Sequence, residues 1–327
     1  MPSTPIAEIL RGGHVESRHM GAFAVADAQG RLVASGGDPE RAIYPRSAIK
    51  GFQALPLVVS GAADRFALSD AELALACASH MGAPLHAETA LSMLAKAGRP
   101  ATCLECGTHW PTSSNAARAL AASGGQPGPQ HNACSGKHAG FICTALAEGR
   151  DPAGYVAPDH PTMKAVTACV SAITGIALSR QSPAVDGCSI PTFMIPLTAL
   201  AAGFARFGSG LGVSREVAAA CARLRQAVAG NPVMVAGEGR FDTVVMQALG
   251  EAAFVKLGAE GVYCAALPSL GLGIALKCDD GSPRAAEVAM AGLLLRHLGP
   301  HPVLERLAAP VLRNWNGLEI GGVRTTL

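Results

Sequence analysis

Three stretches of the chain carry side chains whose types and spacing could do chemistry. The first is Tyr44-Pro45-Arg46-Ser47-Ala48-Ile49-Lys50. A proline just ahead of Ser-x-x-Lys reads as a helix start, and the i,i+3 spacing would put the Lys50 ammonium on the same helix face as the Ser47 hydroxyl. Gly51 to Val59 is apolar nearly all round, which predicts a helix buried within a domain. Burial is what the chemistry needs: a desolvated lysine loses proton affinity and can act as the base that activates a serine. Ser-x-x-Lys also occurs by chance, so the reading leans on the other stretches.

The second stretch is His131-Asn132-Ala133-Cys134-Ser135-Gly136-Lys137-His138, the densest polar cluster in the chain. It follows a Gly/Pro-rich loop from Gly124 to Gln130 and precedes a predicted buried helix from Ala139 to Ala147. Cys134 to His138 would line the N-terminal end of that helix, where the dipole and neighbouring cations stabilise a thiolate. The third stretch is Val185-Asp186-Gly187-Cys188-Ser189-Ile190-Pro191, a polar turn between apolar segments. Cys134 and Cys188 would suit two ligands of one zinc site, with the others drawn from His131, His138 or water. Ala78-Ser79-His80-Met81-Gly82 ends a helix in a small-residue turn of the kind that holds a hydroxyl in a cleft. Cys103-Leu104-Glu105-Cys106 has Cys-x-x-Cys spacing, but no second pair follows to complete a zinc ribbon.

The elements that must position these groups follow from pattern. Met20 to Ala26 and Arg31 to Ala34 read as a hairpin through Asp27-Ala28-Gln29-Gly30. Helices are predicted over Asp70 to Ser79, with a Ser69/Asp70 cap, and over Ala87 to Ala97, Pro161 to Thr174, Leu197 to Ala205 and Glu216 to Val228. Val235 to Asp242 reads as a flexible loop. Phe254 to Gly261 opens a strand carrying Lys256, and Val262 to Leu267 with Leu272 to Cys278 forms a second hairpin before a helix from Arg284 to Leu298. Strands at both ends with helices between imply an α+β fold, one antiparallel sheet assembled from the two termini around a helical middle. The expected division is a single domain with a sheet subregion, about 1–45 and 240–327, and a helical subregion, about 46–239. Lys256 would then sit on an edge strand facing Ser47.

Composition excludes several classes. Of 327 residues 49% are hydrophobic and 15% charged, and the net charge is +2 without basic runs, so neither nucleic acid nor an anionic membrane is an expected partner. Apolar runs are too short or broken to span a bilayer, and Met1 to Arg18 lacks an apolar signal core, so a cytoplasmic location is expected. The ten cysteines are then expected to be core thiols or metal ligands rather than a disulfide framework.

In order and type, Ser47-x-x-Lys50, the mid-chain hydroxyl Ser79 and Lys256-x-Gly258 resemble the serine β-lactamase, penicillin-binding and glutaminase superfamily. More closely, Pro45-Arg46-Ser47-Ala48-Ile49-Lys50, the octapeptide, Asp186-Gly187-Cys188 and Lys256-Leu257-Gly258-Ala259-Glu260-Gly261 resemble the rhizobial-type, or class 3, L-asparaginases over essentially the whole chain. The resemblance implies a β-lactamase/glutaminase-like fold and hydrolysis of L-asparagine to L-aspartate and ammonia through two Ser-Lys tandems, Ser47 with Lys50 and Ser79 with Lys256. It implies a zinc ion held by Cys134, Lys137 and Cys188 with water, His138 and Asp186 on the substrate side, and a homodimer. Arg46 is placed to bind the substrate carboxylate. Lys256-Leu257-Gly258 lacks the hydroxyl residue that follows the lysine in β-lactam-binding proteins, which disfavours that activity. Glutaminase is the nearer rival, because one methylene is discriminated by only about 1–3 kcal/mol. A rival of another class is a non-catalytic zinc or redox protein using Cys103, Cys106, Cys134 and Cys188.

Overall fold

Gly12 and Gly13 have φ of 54° and 83°, the left-handed backbone that a two-residue hairpin loop requires. They join strand β1 (Thr4–Arg11) to the long strand β2 (His14–Asp27), with Arg11 opposite His14. The computed structural model describes residues 3–327, and the chain divides into two units. One contains the chain up to Ala48, Met194–Ser209 and Val255–Leu327; the other contains Ile49–Phe193 and Gly210–Phe254.

The first unit is built on the sheet. Besides β1 and β2 it comprises β3 (Leu32–Gly36), β4 (Phe254–Leu257), β5 (Val262–Leu267), β6 (Leu272–Cys278), β7 (Val311–Arg313) and β8 (Glu319–Thr325). The order is β7-β8-β1-β2-β6-β5-β4, with β3 paired to β2. β2 pairs antiparallel with β1, β3 and β6, so this one strand joins the two ends of the chain as the pattern predicts. Every residue of β5 is buried. Successive side chains point to opposite faces, so both faces are covered, and the helices Leu197–Ser209 and Pro283–Leu298 both pack on β5 and β6. A Cβ at Gly273 would stand 2.0 Å from the Ala201 carbonyl oxygen, so only glycine lets that helix lie on the strand. The Leu197–Ser209 helix thus belongs with the sheet, whereas sequence order groups it with the helical region; conversely, residues 240–254 go with the helices.

The second unit is helical. Pro161–Thr174 forms as predicted and ends on Gly175 in the left-handed conformation. Two expectations are corrected. The apolar run after Ser47 is a 3₁₀ turn (Arg46–Ile49) and two short helices, Lys50–Gln53 and Leu55–Val59, rather than one helix, because Pro56 has no N–H with which to continue the ladder. The predicted loop at Val235 to Asp242 shrinks to Gly237–Arg240. Pro232–Ala236 and Phe241–Leu249 are helical, and Asp242, 1% exposed, lies in the first turn of the latter, where the dipole favours a carboxylate. Among the described residues no helix is long and apolar enough to cross a membrane.

The helix that leads to Ser79, Asp70–Ala76, is anchored at its start. The Ser69 and Glu72 side chains form a reciprocal capping box, and buried Glu72 also accepts bonds from Lys96 Nζ at 2.6 Å and Ser92 Oγ at 2.9 Å. Burial would raise the Glu72 carboxyl, but the bonds from Lys96, Ser69 and Ser92 outweigh it and hold the carboxyl below its ordinary value of 4.5. A depressed carboxyl contributes stability that is present above its unfolded pKa and lost as the pH falls through the folded one. Glu72→Gln is therefore expected to cost about 1–2 kcal/mol at pH 7. Urea unfolding at a series of pH values should show that cost shrinking as the pH drops below 4.5.

Candidate active site

Lys50, the first residue of its helix, is fully buried. Its Nζ donates to the Ala78 carbonyl at 2.5 Å and the Ala133 carbonyl at 3.3 Å, and lies 2.9 Å from Ser79 Oγ. Carbonyls only accept, so these two bonds use two N–H groups in either protonation state. The third direction serves both forms: an ammonium donates to Ser79 Oγ, and an amine accepts the Ser79 hydroxyl proton. A proton can therefore pass between Lys50 and Ser79 without heavy-atom movement. Ser79 is itself tied down, since its backbone N–H donates to the Val235 carbonyl at 2.8 Å.

The thiols meet at the start of the next helix. Cys134 is the N-cap of Ser135–Ala147, and its N–H donates to Asn132 Oδ1 at 2.8 Å. Lys137, one turn on and 2% exposed, donates to Cys188 Sγ at 3.2 Å. A hydrogen bond from the Cys188 thiol pulls Cys134 well below the ordinary thiol range, with Lys50 and Lys137 adding to it against the effect of burial. Sharing that proton and being buried push Cys188 up. Burial works against the Lys137 ammonium, but Cys188, Cys134 and Asp186 more than restore it. The pair thus behaves as a thiolate and a thiol sharing one proton beside a cation. Two sulfurs and an amine nitrogen suit zinc, and the 3.2 Å between Lys137 Nζ and Cys188 Sγ is near the edge of about 3.6 Å that tetrahedral Zn–N and Zn–S bonds define. Lys137 would have to lose its proton to coordinate.

His138 is fully buried, and its Nδ1 lies 2.7 Å from the Tyr155 hydroxyl, which accepts the Glu105 N–H at 2.8 Å. Burial keeps Tyr155 a phenol, so its one proton goes to His138 Nδ1. Burial, reinforced by Lys137 and Lys50, keeps His138 neutral, so its own proton sits on Nε2, a buried atom with no hydrogen-bond partner among the described residues. Asp186, half-buried, caps the Cys188 turn by accepting the Gly187 N–H at 2.7 Å.

The remaining predicted residues lie in the sheet unit. Ser47 and Arg46 are half-buried in the 3₁₀ turn, and the chain passes to the other unit just after Ala48. Lys256, fully buried on the end strand β4, donates to the Leu257 carbonyl at 2.9 Å. That strand runs against the Ser47 segment: a Cβ at Gly258 would stand 2.9 Å from the Pro45 carbonyl oxygen, which is why Lys256 is followed by a glycine two residues on. Arg46 has φ of 49° and Ser189 has φ of 75°. These are strained positions for residues with a Cβ, and they flank Ser47 and Cys188.

Tyr155 and His80 are site-supporting residues that sequence reasoning missed. His80 Nδ1 accepts the Gly82 N–H at 3.1 Å, so Nε2–H donates to Ser135 Oγ at 2.9 Å, and Ser135 donates to the Gln130 carbonyl at 2.9 Å. This chain fixes the Ser79 turn to the Cys134 cap. The Ser79-His80 dipeptide beside Gly82 was the available signal; Tyr155, in a loop, offered none. Of the Cys103-x-x-Cys106 pair, Cys103 is half-buried and Cys106 buried; the Cys106 carbonyl accepts from Asn132 Nδ2 at 2.9 Å, and burial pushes its thiol up to about 12.

A buried lysine hydrogen-bonded to a serine hydroxyl, beside a thiolate at a helix N-terminus and a neutral histidine donor, makes a site suited to acyl transfer from an amide. The chain matches the L-asparaginase II family over residues 7–325 and belongs to that family. That membership supports hydrolysis of an amide in a small-molecule substrate. A comparison with curated proteins found no match. Similar solved structures include a β-lactamase from Mycobacterium bovis, at 14% identity and a TM-score of 0.42 over 86% of this chain and 95% of that one. They also include Mglu in its native form, at 14% identity and a TM-score of 0.38 over 86% of this chain and 64% of that one. The family match, not these distant likenesses, carries the identification.

Tyr155→Phe removes the donor that sets the His138 tautomer and strands the Glu105 N–H. Melting should show a loss of about 1–3 kcal/mol. Long-range ¹H–¹⁵N correlation should find His138 protonated on Nε2 in the parent and mixed between the two nitrogens in the variant.

Proposed function

We propose that the protein hydrolyses L-asparagine to L-aspartate and ammonia through a serine ester intermediate. The observation that carries this is fully buried Lys50, three residues after Ser47, with its Nζ 2.9 Å from Ser79 Oγ. Ser47 Oγ attacks the side-chain amide carbon while its proton passes to Lys50. Collapse of the tetrahedral adduct breaks the C–N bond as a proton reaches the leaving nitrogen through the Ser79 hydroxyl, with Lys256 as the second lysine. Water then cleaves the ester, releasing aspartate and returning the proton to Ser47. Arg46 binds the α-carboxylate, a planar partner for guanidinium, and Asp186 the α-ammonium. The His138 Nε2–H, otherwise unpartnered, donates to a substrate oxygen. Cys134, Lys137 and Cys188 would hold zinc, which when bound would offer an open coordination position that orients the substrate. The nucleophile is the serine in either case.

The Lys50–Ser79 contact also supports a second reading, in which Ser79 is the nucleophile and Ser47 the relay. Ammonia release should separate substrates: strong turnover of asparagine with little from glutamine is expected, and comparable glutamine turnover would make the protein a glutaminase. Ser47→Ala should retain its circular dichroism and lose roughly a thousandfold or more in kcat. Normal turnover by that variant would overturn the assignment of Ser47 and leave the Ser79 reading, which Ser79→Ala then decides.

A further inference from the structure

The sheet unit contains a second cluster of ligand-type side chains that the hydrolysis does not use. His19 lies on β2, Cys278 ends β6, and Asp280 stands in the turn that follows. The backbone brings them together: Cys278 pairs opposite Gly21, and the Asp279 N–H donates to the Met20 carbonyl at 2.9 Å, which sews the turn to β2. One ligand atom from each of the three lies within 4.8 Å of the others. Asp280 bridges the other two, with Oδ2 2.6 Å from His19 Nδ1 and Oδ1 2.9 Å from Cys278 Sγ, and Oδ1 also accepts the Ser282 N–H at 3.0 Å. The Cys278 thiol is fully buried and the His19 side chain is 9% exposed, while the Asp280 side chain is 53% exposed. His19 Nε2 is buried with no hydrogen-bond partner, so among the described residues Asp280 is the only hydrogen-bonding side chain that holds the ring.

We propose that His19, Cys278 and Asp280 form a zinc site, made of different residues from the Cys134 group, with water as the fourth ligand. A thiolate, an imidazole and a carboxylate are zinc donors, and the thiol and imidazole exclude the hard cations magnesium and calcium. Tetrahedral zinc with these donors has edges of about 3.3–3.7 Å, so the two present contacts need open by only about 1 Å or less. The half-exposed Asp280 side chain can make that movement while the strands stay in register, and its exposed side leaves room for the water. On binding, the Cys278 S–H proton leaves to solvent, and His19 coordinates through Nδ1 with its one ring proton on Nε2, so the imidazole stays neutral. The thiolate and carboxylate then balance the metal's two charges, so no net charge is left at the buried thiol. The bound ion would cross-link β2 to the end of β6, and its effect is on the stability of the sheet unit rather than on turnover.

The test uses the full chain carrying Cys134→Ser and Cys188→Ser, which removes the sulfur ligands of the other proposed site, titrated with cobalt(II) and with zinc. Expected are a single equivalent of bound metal, a thiolate-to-cobalt charge-transfer band, and a rise in Tm with zinc. Adding Cys278→Ser should abolish the band, and adding Asp280→Asn, at a half-exposed position that keeps the fold, should weaken binding about tenfold or more. In the chain with all its cysteines, Cys278→Ser should lower bound metal by one equivalent and leave kcat for asparagine unchanged. No binding, cobalt binding without the thiolate band, or a band and stoichiometry indifferent to both variants would overturn the site. None of these results depends on whether Cys134 and Cys188 bind zinc or Ser47 is the nucleophile.

Discussion

A lysine amine removed from water must have its hydrogen bonds replaced, and the helical unit is arranged around that demand at Lys50. Its two carbonyl partners come from Ala78 and Ala133, the residues just before Ser79 and Cys134. One buried group thus sets the position of a hydroxyl and of a thiolate. Leaving such a group unpaired would cost several kcal/mol, so the two loops are held by the penalty for letting go as much as by the bonds themselves. The Glu72 cap at the start of the Asp70–Ala76 helix and the His80–Ser135–Gln130 chain reinforce the same two loops from other directions.

The electrostatics of that unit follow from the same burial. With Lys50 and Lys137 out of water, groups that would add positive charge stay neutral: burial pushes His80 and His138 well down, with His86 and Lys50 adding to it at His80 and Lys137 and Lys50 at His138. Groups that can go negative compensate, and Cys134, at a helix N-terminus with a thiol donor, does so most readily. Neutral histidines keep fixed tautomers, and so act as directional donors rather than diffuse charges. Phenolic Tyr155 determines which nitrogen of His138 carries the proton.

Much of this was legible in the sequence where the signal is local. The Asp27–Gly30 turn, the hairpin through Pro268-Ser269-Leu270-Gly271 and the Pro161–Thr174 helix combine hydrophobic periodicity with turn or cap residues close in the chain. β1 and β8 were not read, although they pair with each other: Glu319–Thr325 contains two glycines and little alternation, and its partner lies some three hundred residues away. In the site, Ser47, Lys50, Cys134 and Cys188 stood out because their residue types cluster at recognisable spacings. The Lys50–Ser79 contact, Tyr155 under His138, and the left-handed backbones of Arg46 and Ser189 depend on how distant segments pack, which no spacing records.

The most direct test of this account is to quench the protein in acid while it turns over L-asparagine and to map the peptides by mass spectrometry. An aspartyl ester on Ser47 is the predicted adduct. An ester on Ser79, a thioester on Cys134, or sustained turnover with no adduct on any residue would contradict it.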